Sequence, residues 1–165
     1  MVTYAQDYDW VKFYQGTGSQ FPVSMEVDEY GNQYAAIYNS LKTITVDSQQ
    51  IRGRNLLLKQ DSSGAVKWHR SITAIDTTQW SSIIGISFTN TGSLLCIVAS
   101  RDSAILIGKD TVIGRERSYS NNNVFLLELD TSGNLLYGAL LLYGRFKYIN
   151  YYNHLTKNKI TVDQY

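Results

Sequence analysis

Residues 55–72 read NLLLKQDSSGAVKWHRSI, and residues 123–141 read NVFLLELDTSGNLLYGALL. The second stretch is an altered copy of the first. Placing Gly64 on Gly133 puts Asp61 on Asp130, Ser63 on Ser132, Leu58 on Leu127 and Trp68 on Tyr137. Each copy is an apolar strand, an Asp-x-Ser-Gly turn and a second strand carrying an aromatic residue. An Asp at the start of such a turn bonds its own backbone two residues on, and the Gly at its end accepts a positive φ. Both stretches are therefore predicted to be β-hairpins with four-residue loops.

Another matched pair lies ahead of these. PVSMEVDEYGNQYAAIYNS (22–40) and IIGISFTNTGSLLCIVAS (83–100) align Gly31 with Gly92, Val27 with Phe88 and Val23 with Ile84. The first pair is offset by 69 residues and this one by 61. Asp28 opens the turn at Gly31, whereas Thr89 opens the one at Gly92. Between the hairpins, LKTITVDSQQIRGR (41–54) is matched to ILIGKDTVIGRER (105–117) by placing Ile44 on Ile107 and Asp47 on Asp110. A repeat of this size sets the architecture before any local assignment. Val23, Met25 and Val27 alternate with Ser24 and Glu26, the pattern of a strand with one wet face. Phe125, Leu127 and Leu129 share a face opposite Val124, Leu126 and Glu128, which predicts a strand covered on both sides. No segment keeps helical apolar spacing over three turns.

The expected fold class is all-β: two four-stranded antiparallel sheets resembling propeller blades, in an incomplete propeller or a sandwich-like pair. Residues 1–165 read as one domain. The first repeat covers about 10–72 and the second about 73–144. Residues 145–165 form a Tyr-rich tail or a partial third repeat, centred on HLTKNKITV (154–162).

Composition narrows the function. The 165 residues are 44% apolar and 18% charged, with a net charge of +1, which gives no electrostatic case for nucleic acid. MVTYAQDYDW lacks the basic and apolar regions of a signal peptide. No apolar run reaches the ~20 residues of a membrane span, and nothing here fixes a compartment. The single cysteine, Cys96, lies in an apolar run and reads as a buried hydrophobe.

Candidate chemistry is sparse. His69 and His154 lack a second ligand at metal spacing. The Asp-x-Ser-Gly turns lack the alternating oxygen ligands of a calcium loop. Gly16-Thr-Gly18 reads as a linker, and no nucleophile-elbow motif is present. No cofactor, metal site or catalytic residue is expected, and the chain is read as a non-enzyme. Asp28, Gly31, Asp61, Gly64, Gly92, Asp130 and Gly133 are assigned to structural turns. Tyrosine is abundant, 13 residues. With Trp10, the C-terminal group Tyr143, Tyr148, Tyr151 and Tyr152 makes a candidate protein interface, because Tyr suits contacts that are apolar at one end and wet at the other.

At Val27-Asp28-Glu-Tyr-Gly31-Asn32-Gln-Tyr34, Leu58-Lys59-Gln-Asp61-Ser-Ser-Gly64 through Trp68, and Phe125-Leu-Leu-Glu-Leu129-Asp130-Thr-Ser-Gly133-Asn134, the chain resembles the SBBP-type β-propeller repeats of bacteria and large viruses. The resemblance spans about residues 10–144. Thr89, Ser93, Leu95 and Tyr137 depart from the pattern. The resemblance implies a four-stranded blade per repeat and no particular ligand. Two repeats are too few to close a propeller, so strand edges must be covered by the chain's own ends, by other proteins or by copies of the chain. The function expected from this is a structural or interaction subunit of a larger assembly, a virion component being one setting. The competing expectations are a carbohydrate- or ligand-binding module and, more remotely, an enzyme on a propeller scaffold.

Overall fold

A computed structural model describes residues 19–40, 43–46, 49–116 and 121–144. Among these are twelve strands and no helix: β1 (Gln20–Val27), β2 (Gln33–Asn39), β3 (Thr43–Val46), β4 (Gln49–Arg52), β5 (Asn55–Gln60), β6 (Val66–Ala74), β7 (Ser81–Phe88), β8 (Leu94–Ser100), β9 (Ala104–Ile107), β10 (Asp110–Ile113), β11 (Asn122–Leu129) and β12 (Leu135–Gly144). All pairings are antiparallel. The fold is all-β, as expected.

The four hairpin turns form as the sequence dictates. Gly31, Gly64, Gly92 and Gly133 have φ of 79°, 82°, 82° and 78°. The amide of each Gly donates to the carbonyl of the residue that opens its turn, Asp28, Asp61, Thr89 or Asp130, at 2.8–3.1 Å. Oδ1 of Asp130 also accepts from the amides of Ser132 and Asn134, both at 2.8 Å. Asp28 and Asp61 make the same pair of bonds.

The strands fall into two equivalent sets of six, β1–β6 and β7–β12. Within the first, β1-β2-β5-β6 are neighbours in one sheet, and within the second β7-β8-β11-β12. Even the irregularities recur: a bulge between Pro22 and Ser24 matches one between Ile83 and Gly85. In each set a short hairpin is inserted between the second and third main strands. The two insertions have different fates. β9–β10 leaves its own sheet and continues the other one, β9 pairing with β6 through Ile72↔Ile107, Thr73↔Leu106 and Ala74↔Ile105. The result is a six-stranded sheet β1-β2-β5-β6-β9-β10 beside the four-stranded one. β3–β4 remains a separate two-stranded sheet. The expected pair of four-stranded sheets is thus present, with one of them lengthened by the inserted hairpin of the other repeat.

The expected match of Ile44 with Ile107 is shifted by two residues. β3 pairs with β4 as Thr43↔Arg52 and Ile44↔Ile51, and β9 with β10 as Ala104↔Ile113 and Ile105↔Val112. Ile44, Val46 and Ile51 therefore correspond to Ile105, Ile107 and Val112, all buried. The 61-residue offset persists through both insertions. Asp110 corresponds to Gln49, and Asp47 lies outside the described residues.

Each main sheet has two faces. The front face carries Ala35, Leu56 and Leu58 in the first repeat and Cys96, Phe125 and Leu127 in the second. The back face carries Tyr34, Ala36 and Leu57 in the first repeat and Leu95, Ile97 and Leu126 in the second. The back face of the first repeat packs on the front face of the second, and both contribute to one core that also holds Ile105, Ile107 and Val112 of the inserted hairpin. Full burial of a side chain such as Leu57 contributes about 2 kcal/mol. A smaller cluster joins Ala35, Ile37, Leu56 and Leu58 to Ile44, Val46 and Ile51, so β3–β4 covers the front of the first sheet.

Candidate interaction surface

The contact between the repeats is held by side chains of β5 and β6 reaching the turn between β11 and β12. Lys59 Nζ donates to the Thr131 carbonyl at 3.1 Å, and Trp68 Nε1 donates to the same oxygen at 2.9 Å. Arg70 Nε donates to the Gly133 carbonyl at 2.8 Å. The Tyr34 and Phe88 rings meet edge to face at 4.9 Å, a favourable aromatic geometry. Between the sheets, Asn55 Nδ2 donates to the Ser81 carbonyl at 2.9 Å.

Among the described residues, the same positions one repeat further on have no such cover. Tyr34, Ala36, Leu57 and Ile72 are completely buried. Leu95, Ile97 and Leu126 are only half-buried, and Tyr137, the counterpart of Trp68, is 54% exposed. A bulge at Leu141 places Leu142 opposite Val124, the position Ile72 occupies opposite Asn55. Leu142 is 53% exposed. Among the described strands β12 also ends its sheet, whereas β6 is joined by β9.

The opposite end is bare in the complementary way. The alternation in β1 leaves its apolar side the wetter one: Met25 and Val27 are exposed, and Ser24 and Glu26 are half-buried. Their counterparts in β7, Ile86 and Phe88, pack against the first repeat. The apolar side of β1 belongs to the front face, which β3–β4 covers over β2 and β5 while leaving Met25 and Val27 exposed. Its polar side lies between the repeats, where Ser24 Oγ accepts from the Ile86 amide at 3.4 Å.

The residues singled out from sequence are distributed accordingly. The seven turn residues sit in the four hairpin loops. Asp61 is held below the usual carboxylate range by Lys67, at 2.7 Å, and by Ser63. At Asp28 and Asp130 slight burial pushes upward, but bonds from Asn32 and Asn134 outweigh it and the net direction is down. Burial pushes the Cys96 thiol up to about 12, in keeping with a buried hydrophobe. Tyr143 lies in β12 with the Arg115 guanidinium 5.5 Å from its ring centroid. Trp10, Tyr148, Tyr151, Tyr152, Gly16, Gly18, His154 and the 154–162 segment lie outside the described residues. Sequence reasoning missed Leu142 and Met25 as surface residues, and Lys59 and Arg70 as contacts between repeats. The repeat itself was the available signal: each has a counterpart in a different environment.

Two clefts accompany these features. One, of about 440 Å³, is lined by hydroxyls such as Thr43, Ser71 and Ser81 and by Arg52 and Arg54. The other, of about 340 Å³, brings His69, Arg70, Lys109 and Asp110 together. Burial and the Arg70 charge lower the His69 pKa. Among the described residues no group of three or more His, Cys, Asp or Glu could hold a metal, and no helix is long and apolar enough to cross a membrane. No family model matches this sequence, and no curated protein matches it.

Proposed function

We propose that the chain is a non-catalytic β-repeat protein that serves as a structural or interaction subunit of a larger protein assembly. One observation carries this reading: Ile72 is fully buried while Leu142, at the same position of the second repeat, is half exposed on an edge strand. An apolar edge of this kind is a template for further strand pairing, and native proteins cover it. The carboxylates of Asp28, Asp61 and Asp130 are committed to turn amides, which supports a scaffold role for the residues that recur. A virion or another multiprotein particle is the setting favoured by the resemblance to large-virus repeat proteins.

The test is a pull-down with the wild-type chain beside Met25→Glu and Leu142→Lys variants. A partner captured by the wild type and lost from a variant supports the reading. A stable monomer that captures nothing contradicts it.

A further inference from the structure

We propose that the partner is a second copy of this chain, and that copies associate head to tail. The back face and β12 edge of one copy receive the front face and β3–β4 hairpin of the next. This deepens the function proposed above and rests on it. The interface it requires already exists once inside the chain, between the two repeats.

Three matched differences carry the argument. First, β9 lies between β10 and β6, but among the described strands its counterpart β3 pairs with β4 alone. Second, β6 is joined by β9, but its counterpart β12 ends its sheet among the described strands. Third, Ile86 is buried against the first repeat, but its counterpart Met25 is 61% exposed, and Leu142 is exposed where Ile72 is buried. Each uncovered element at one end is the counterpart of what covers the equivalent element inside the chain. Transferring the β6–β9 register predicts Leu142 opposite Val46 and Tyr143 opposite Thr45 of the next copy.

The polar chemistry of the contact between copies differs from that of the internal one. Lys59 of the first repeat is replaced by Glu128 in the second. The turn that Glu128 would meet, Asp61–Gly64, has Lys67 beside it, where the second repeat has Leu136. Only the Lys59-to-Glu128 side changes sign: the turn keeps its carboxylate, Asp61 for Asp130, and Lys67 is paired with Asp61 at 2.7 Å. Trp68 and Arg70 become Tyr137 and Ala139, so fewer donors reach the turn and the contact between copies is weaker than the internal one. Because the two ends differ, the contact is heterologous and gives rings or open filaments rather than closed pairs.

Sedimentation and light scattering over a concentration series test this on the intact chain. The wild type should reach at least twice the mass of one chain at high concentration. Met25→Glu blocks the front and Leu142→Lys blocks the back, both at exposed side chains, and each variant alone should stay monomeric. Mixed in equal amounts they should form dimers and stop there, since one variant retains a sound back and the other a sound front. If circular dichroism shows that either variant is unfolded, Met25→Ser and Leu142→Ser replace them with the same expected outcomes. A wild-type monomer at every concentration overturns the proposal, as does a mixture that stays monomeric while the wild type associates. Should the wild type be monomeric yet capture a different protein that the same variants lose, self-association fails and the interaction role stands.

Discussion

Gly133 rests against the indole of Trp68, so that a Cβ placed on it would lie 2.8 Å from Cδ2 and 3.0 Å from Cε2. The two residues come from different repeats, and their approach sets how closely the sheets dock. Gly92 has the same left-handed backbone, φ 82°, but nothing within 4 Å of its would-be Cβ. Gly92→Ala therefore meets only the backbone penalty, about 1 kcal/mol. Gly133→Ala is expected to cost more, about 2–3 kcal/mol, because the ring must also move. In a Trp68→Ala background the cost of Gly133→Ala should fall to that of Gly92→Ala. Denaturant unfolding of the four variants gives the coupling directly.

The turn aspartates predict how stability depends on pH. Asp28, Asp61 and Asp130 all have folded pKa values below the ordinary carboxylate value of about 3.9. Groups depressed in the folded state contribute stability that is fully present above the unfolded pKa. That contribution is lost as pH falls through the folded pKa. The thermal midpoint should be flat with respect to these groups from about pH 7 to pH 5 and should drop below about pH 4. In Asp130→Ala that acid drop should shrink, and neutral-pH stability should be lower by about 1 kcal/mol for the lost turn bonds. An acid limb unchanged in the variant would contradict this role for Asp130.

Cys96 is completely buried among apolar neighbours, with its thiol pushed up to about 12. A thiol reagent should leave it unmodified in the folded protein at neutral pH and label it fully in denaturant. Cys96→Ser puts a hydroxyl into the same apolar site and should cost about 1–3 kcal/mol. Rapid labelling without denaturant would show that the core opens there.

The turns and main strands were legible in the sequence because their determinants are local. Asp130 and Gly133 specify their loop whatever lies around them. The facing of β1 was not legible, since periodicity shows that Met25 and Val27 share a side but not whether that side is covered. The second repeat buries the same side because the first repeat lies against it, whereas in the first repeat β3–β4 covers β2 and β5 and leaves Met25 and Val27 exposed. The two-residue error at Ile107 arose from matching Asp47 to Asp110. The burial of Ile51 and Val112, and the shared position of Gly53 and Gly114, give the correct offset. The pairing of β9 with β6 joins elements of different repeats, and no local pattern encodes it. Leu142 could be recognised as uncovered only once Ile72 was seen to be covered.

Among the described residues, the second repeat presents bare the edge and face that the first repeat has covered. Amide hydrogen exchange at low protein concentration measures this most directly, by comparing residues 69–74 of β6 with residues 139–144 of β12. Edge amides without a neighbouring strand exchange through small local openings, while those inside a sheet need larger ones. The β12 segment should exchange much faster than the β6 segment, and its protection should rise when a partner or a second copy binds. Equal, strong protection of both segments in the isolated monomer would contradict the claim.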